Sequence, residues 1–455
     1  MARLFGTDGV RGIANRKLSP ELALAMGMGV AKYLHLKNDT ATGENVRFKA
    51  VVGMDTRVSG DFLSNAIIAG LTCMGVDVVN VGVLPTPAIA YLTSSSDASL
   101  GVVISASHNP FSDNGIKFFN ADGKKFPDSV EDEIEKIINE GVDVSSRPIG
   151  KGVGRVMNFD GINADSYIEH LLSACETDLS GLKIVIDCAN GASSDVAHKV
   201  FERAGANVLC INNVPNGYNI NDECGSTHPK GLQEAVVKCG ADFGFAYDGD
   251  ADRCLAVNSK GELVDGDKIM GILARSFSEK GKLAKNTLVV TVMSNLGLIL
   301  AMHKAGIKTV QTAVGDRYVL EEMLKNGYNL GGEQSGHVIS RDIISTGDGI
   351  LTSLLLACEV KKTAKSLEQL SSFIKRLPQT LINVRGVDKA GLSGNENIRK
   401  AVSQYESLLA DTGRVLLRPS GTEPLIRVMV EASTQQRSDE ICKELAKIVE
   451  RELAL

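Results

Sequence analysis

One layout of short apolar runs and glycine-closed amphipathic stretches occurs three times along this chain. That repetition restricts its fold more than any other feature. The first copy has a strand-like run at 50–55, a helical stretch from about Phe62 closed by Gly75, a second run at 76–81, a helical stretch from Pro87 to Leu92 and a third run at 100–104. The second copy places strands at 183–187, 207–211 and 242–246, with a helix from about Ser194 to Gly205 after the first of them. The third places them at 288–292, 309–312 and, more weakly, 329–331, with a helix ending at Gly306. Continuous apolar runs of this length suit a sheet buried on both faces. Helices that end at glycine between such runs are the mark of βαβ units.

The remainder breaks the pattern. A run at 380–384, a charged helix from Asn395 to Leu409, runs at 414–417 and 425–430 around a polar loop, and a helix from about Ser438 predict a smaller α+β domain. The expected fold is therefore α/β: three homologous α/β domains with mostly parallel mixed sheets plus a C-terminal α+β domain, arranged around a central cleft. The expected boundaries are 1–153, 154–255, 256–369 and 370–455.

Composition narrows the function class. Hydrophobic residues make up 43% and charged residues 23% of the 455, which is ordinary for globular domains. The net charge of −6 carries no block of like charge, so nucleic acid is not the expected partner. No run reaches the roughly 18 apolar residues of a membrane span, and the opening Met1-Ala2-Arg3-Leu4-Phe5-Gly6 has no signal-peptide core. A cytoplasmic location follows as an expectation. Nine cysteines, scattered from Cys73 to Cys442 without a CxxC pair, fit free thiols rather than disulfides or zinc.

Ligand groups in open α/β sheets sit beyond the carboxyl ends of strands. The third strand of each copy runs into an unusual loop there: Ser105-Ala106-Ser107-His108-Asn109-Pro110, Asp248-Gly249-Asp250-Ala251-Asp252-Arg253, and Gly332-Glu333-Gln334-Ser335-Gly336-His337. Three carboxylates at i, i+2 and i+4 repel one another unless a cation neutralises them. An EF-hand is excluded, because Arg253 and Ser259 stand where it needs Gly and Glu. A solvated acidic turn is the bland alternative; a hard divalent ion, Mg²⁺, is the better reading. A serine facing such a site suggests phosphoryl transfer through phosphoserine, although Ser, Asn and Pro are also common turn residues. Lys117, between apolar neighbours, is either a surface lysine or part of this chemistry. Arg418-Pro419-Ser420-Gly421-Thr422-Glu423-Pro424 holds a guanidinium, two hydroxyls and a glycine N–H, the inventory of a phosphate grip, or else of a plain hairpin loop.

These loops, in this order, closely resemble the α-D-phosphohexomutase superfamily over essentially the whole chain. The matching stretches are Gly6 to Gly12, Ser105 to Pro110, Asp113 to Phe119, Asp248 to Arg253, Gly315 to Val319, Gly332 to His337 and Arg418 to Pro424; Ala251 departs from the glycine many relatives carry. The resemblance implies an intramolecular phosphotransferase of the isomerase class that moves phosphate between the 6- and 1-positions of a hexose through phosphoserine and a 1,6-bisphosphate. It implies catalytic roles for Ser107, Lys117, Arg11 and His337, and one Mg²⁺ per chain on Ser107, Asp248, Asp250 and Asp252. Substrate contacts are implied for Thr7, His108, Arg253, Glu333, Ser335, Arg418, Ser420, Gly421, Thr422 and Arg427. Gln334 points to the branch acting on glucosamine phosphates, which feeds amino-sugar nucleotide and cell-wall precursor synthesis; the mannose and glucose branches, the alternative, often carry Met there. Glucosamine 1,6-bisphosphate or glucose 1,6-bisphosphate is the implied activator, a phosphosugar the partner, and a homodimer the expected assembly, with neither nucleic acid nor membrane involved.

Overall fold

The computed structural model describes residues 3–6, 8–41, 47–158, 161–420 and 423–455. Its first sheet contains β1 (Val10–Ile13), β2 (Lys49–Met54), β3 (Asp77–Val83), β4 (Leu100–Ile104) and β5 (Asp113–Asn120), in the order β1-β5-β4-β2-β3. The second contains β6 (Lys183–Asp187), β7 (Asn207–Ile211), β8 (Phe243–Tyr247), β9 (Cys254–Asn258) and β10 (Leu263–Val264), ordered β10-β9-β8-β6-β7. The third has β11 (Thr287–Thr291), β12 (Lys308–Thr312), β13 (Leu330–Gly332) and β14 (Val338–Ser340), ordered β12-β11-β13-β14.

All three sheets share one plan. The first strand of each repeat lies between the second and third and runs parallel to both, as β2 does with β3 and β4. A fourth strand then returns antiparallel to the third: β5 on β4, β9 on β8 and β14 on β13. The parallel centre matches the sequence reading. The antiparallel strands carry no expectation from the sequence: β5, β9 and β14 follow the three unusual loops. Helices Pro20–Ala41 and Gly60–Cys73 cover the first sheet, with Met26, Val30, Leu63 and Ile67 packed on Val52, Val102 and Ile104. Apolar central strands flanked by such helices leave polar groups to the loops and to β1 and β5, which carry Arg11 and Lys117, and each sheet's carboxyl edge carries one of the three unusual loops.

The chain divides into two compact units, 1–293 with 307–371, and 294–306 with 372–455. The second unit is built on a three-stranded antiparallel sheet of β15 (Gln379–Arg385), β16 (Arg414–Pro419) and β17 (Leu425–Glu431), with β17 central. Helices Glu396–Leu409 and Gln435–Leu453 contribute Ile398, Leu409, Leu445 and Val449 to its core. Helix Leu296–Lys304, which the repeat places third, belongs to this unit. Buried Glu431 explains the attachment: it accepts from the Leu296 N–H at 2.9 Å, the Asn295 amide at 3.1 Å and Arg414 Nε at 2.8 Å. A carboxylate is well placed at that positive helix end. Among the described residues no helix is long and apolar enough to cross a membrane.

Candidate active site

Ser107 is set by its neighbours before its own chemistry matters. Its φ of +52° is left-handed, a conformation costing a non-glycine residue on the order of 1 kcal/mol or more. Buried Arg57 holds it there. Arg57 donates to the carbonyls of Ser107 (2.9 Å), Asn109 (2.8 Å), Asp113 (3.0 Å) and Pro110, while Asp55 anchors its Nε at 2.9 Å. The Asn221 amide adds a 2.9 Å bond to the Ser107 carbonyl. With every nearby carbonyl tied down, the Ser107 hydroxyl turns to the second loop and donates to Asp248 Oδ2 at 2.6 Å. Ser105 is spent differently: its hydroxyl donates to Asp55 at 2.6 Å and accepts from the Ser107 N–H at 2.9 Å. His108 Nδ1 lies 3.2 Å from the Ser107 hydroxyl, and burial, then Arg253 and Arg11, lower its pKa to about 4.

The three aspartates are all buried, and a ligand oxygen from each lies within 4.8 Å of the others. Gly249 between them has no room for a side chain, since a Cβ would sit 2.6 Å from the Ser107 carbonyl. Ala251 takes φ +55°, a left-handed conformation that glycine adopts more readily. Asp248 is pushed well up by burial and by Asp252 and Asp250. Asp250 Oδ2 accepts from Thr86 at 2.7 Å and from Lys117 at 3.1 Å, leaving Oδ1 buried without a partner. Asp252 Oδ1 is likewise buried without a hydrogen bond, 3.9 Å from Arg253 Nε. Unsatisfied, buried carboxylate oxygens converging beside a serine fit a hard divalent cation, and a solvated acidic turn is excluded.

Charge alternates away from this cluster. Lys117 is 1% exposed, which rules out the surface reading. It bridges Asp250 and Asp8, each at 3.1 Å, and these carboxylates hold it above the ordinary lysine range against the pull of burial. Asp8 also pairs with Arg11 and, at 2.6 Å, with Lys125; Lys125 in turn holds Asp316 at 2.6 Å. His337 comes next, with Nε2 3.7 Å from Asp316 and Nδ1 3.5 Å from Asp252. Burial lowers its pKa, but Asp252, then Asp316 and Glu333, outweigh that and raise it to about 9; the Gly347 N–H lies 3.2 Å from Nε2. Asp250, Lys117, Asp8, Lys125, Asp316, His337 and Asp252 thus form one series of alternating sign that begins and ends in the aspartate cluster.

A cavity of about 690 Å³ lies over this series, lined by Arg11, Ser107, His108, Arg253, Glu333 and His337 among others. Glu333 accepts from the Gly315 N–H at 3.1 Å, and Arg253 Nε is buried without a hydrogen bond. Ser335 is exposed in the turn ahead of His337. In the C-terminal unit, Arg418 and Arg427 face each other across β16 and β17, and burial followed by Arg427 lowers the Arg418 pKa. Arg427 Nε is buried without a partner; its guanidinium otherwise lies 3.6 Å from Glu423. Lys389 fastens the loop by donating to the carbonyls of Ser420 (2.9 Å) and Glu423 (3.0 Å). Opposed guanidiniums suit an anion. Thr7, Gly421 and Thr422 lie outside the described residues.

Sequence reasoning missed Asp8, Arg57, Thr86, Lys125, Asn221, Asp316 and Lys389. Asp8 and Asp316 stand inside motifs already singled out, so the signal was present without a role attached.

The chain belongs to the phosphoglucomutase/phosphomannomutase family. Residues 2–144, 165–261 and 265–377 match its alpha/beta/alpha domains I, II and III, and residues 381–448 its C-terminal domain. The phosphoglucosamine mutase of Bifidobacterium adolescentis is 56% identical, with 100% of each chain covered. Two solved structures share the fold: a phosphoglucomutase/phosphomannomutase family protein from Burkholderia thailandensis (TM-score 0.81, 23% identity, 99% and 97% of the two chains) and Aspergillus fumigatus N-acetylphosphoglucosamine mutase in complex with GlcNAc-6P and magnesium (TM-score 0.68, 18%, 99% and 96%).

Proposed function

We propose that this chain is a phosphoglucosamine mutase, interconverting glucosamine 6-phosphate and glucosamine 1-phosphate in the cytoplasm. The observation that carries the reading is the Ser107 hydroxyl, aimed from a strained backbone at a buried aspartate cluster with two unsatisfied oxygens. Asp248, Asp250, Asp252 and the Ser107 oxygen would hold one Mg²⁺, which when bound neutralises charge on a transferring phosphoryl group. Phosphoserine gives its phosphoryl to the free hydroxyl of the sugar phosphate; the hydroxyl loses a proton and Ser107 Oγ regains one. In this reading Lys117, held charged between Asp250 and Asp8, supplies that proton, with Arg11 beside the transferring group. The resulting 1,6-bisphosphate turns end for end, and its other phosphate returns to Ser107. Glucosamine 1,6-bisphosphate or glucose 1,6-bisphosphate would load a chain that has lost its phosphate.

Glu333, Ser335, His108 and Arg253 take the sugar and its reacting end in this reading, with His337 near the reacting oxygen. Arg418, Ser420, Gly421, Thr422, Arg427 and Thr7 take the phosphate groups. We assign the domain limits 1–153, 154–255, 256–369 and 370–455 and a homodimeric assembly as parts of the same proposal. Gln334 is the residue on which the preference for glucosamine over glucose or mannose rests, as the family resemblance implies. Coupled assays on glucosamine 6-phosphate, glucose 1-phosphate and mannose 1-phosphate test it. Turnover fastest on either neutral hexose would reassign the chain as a phosphoglucomutase/phosphomannomutase.

A further inference from the structure

All nine cysteines are free thiols, and two of them meet far from the aspartate cluster in sequence. Cys175 follows helix Ala164–Ser173, and Cys358 lies within helix Gly349–Thr363. Their sulfur atoms are 2.8 Å apart, although 183 residues separate them in the chain. That is within about 1 Å of the roughly 2.05 Å disulfide bond. Cys175 is half-buried and its sulfur also lies 3.2 Å from the Thr177 carbonyl. Cys358 lines a cavity of about 360 Å³, together with His170, Phe277, Glu359 and Lys362, so a small oxidant has a way in.

We propose that Cys175 and Cys358 form an oxidation site that hydrogen peroxide converts to a disulfide. The Cys175 thiolate attacks one peroxide oxygen, the O–O bond breaks, and Cys175 becomes a sulfenic acid as hydroxide leaves. The Cys358 sulfur then attacks the sulfenic sulfur, the S–O bond breaks, and a second hydroxide leaves. The two thiol protons turn both hydroxides into water, so two thiols and one peroxide give one disulfide and two waters. The environment assigns the order of attack. The contact with Cys358, against burial and with help from Lys362, draws the Cys175 pKa down to about 6, whereas Cys358 is pushed up by Cys175 and by burial. The more acidic and more exposed thiol is the one that reacts first.

The site is separate from the phosphoryl chemistry, so its test needs no turnover. The full-length protein is treated with a few equivalents of hydrogen peroxide, alkylated, digested without reductant and mapped by mass spectrometry. The expected product is a Cys175–Cys358 linked peptide, two mass units below its reduced components, with titratable thiols falling from nine to seven and returning on addition of dithiothreitol. In Cys358→Ser, Cys175 should be trapped as a sulfenic acid by dimedone. Cys175→Ala, at the half-exposed position, serves as the control that leaves the buried helix intact and should lose the fast phase of thiol oxidation. An unchanged fast phase in Cys175→Ala, or a first-formed link between Cys188 and Cys210 instead, would overturn the assignment.

Discussion

Backbone geometry decides where the Ser107 hydroxyl points. Arg57 and Asn221 tie its carbonyl from two sides, and Asp248 accepts its proton at 2.6 Å. Ser107→Ala should therefore lower mutase turnover by at least about a thousandfold, even with added sugar bisphosphate, while sugar phosphate still binds. Intact-protein and peptide mass spectrometry should find phosphate on Ser107; finding it only on Ser105 would remove the mechanism. Lys125 makes a second case at this scale. It touches no aspartate of the triad, yet it separates Asp8 from Asp316, whose charges would otherwise face each other. Lys125→Met should cut kcat on the order of 10-fold or more with KM changed little, since misplacing Lys117 and His337 hurts transfer before binding. Lys125→Arg, which keeps a cation between the two carboxylates, should recover part of the loss. A change confined to KM would mean that Lys125 only lines the cleft.

Elements were more legible in the sequence than side-chain partnerships. The strands at 100–104 and 183–187 fall where their apolar runs place them. Fully buried strands must be written in continuous apolar residues, so their pattern survives without context. β5 escaped because Asp113, Asn114 and Gly115 open it with turn residues, and its pairing with β1 and β4 rather than its composition makes it a strand. Lys125 escaped because a lysine next to Lys124 reads as a solvated pair, and only the fold brings Asp316 to it from 191 residues away.

Helix Gly349–Thr363 offers a test at this scale. Its cap, Asp348, accepts from the Leu351 N–H at 2.8 Å and from the Tyr167 hydroxyl at 2.9 Å. Burial nevertheless raises its pKa to about 6 from 3.8. The folded state then holds a proton that the unfolded chain has released, so this group's contribution to stability falls as pH rises from about 4 to about 6. The loss amounts to about 3 kcal/mol for a shift of that size. Urea denaturation of metal-free protein at pH 4 and pH 7 should show Asp348→Asn gaining on the parent at the higher pH; a constant difference would refute the shift. In the C-terminal hairpin, Arg418→Ala should raise KM for the sugar phosphate about tenfold or more, as a charge-assisted contact is lost. It should leave Ser107 phosphorylation by sugar bisphosphate less affected, and unchanged kinetics would reduce the loop to a turn.

Across the whole molecule, the triad's mutual repulsion is a standing cost that a bound cation relieves. Mg²⁺ at about 100 times its Kd should stabilise the fold by roughly 2.7 kcal/mol, whatever the sugar specificity. Hydrogen exchange should show the added protection at 248–252 and in the serine loop. Asp250→Asn should abolish most of it together with turnover, and near-normal turnover of that variant in metal-stripped buffer would end the metal assignment.

The shared strand order has a consequence for how such a protein can change. Each of the three reactive loops joins the third strand of its repeat to the antiparallel strand beside it, with pairs Tyr247–Cys254 and Gly332–Val338 closing the second and third at their bases. A segment pinned at both ends by a ladder can be exchanged without disturbing the sheet that carries it. Under the proposed function, residues 333–335 would be a cassette: preference among sugars could drift there on one frame, while His337 and the serine and aspartate loops keep the phosphoryl chemistry constant.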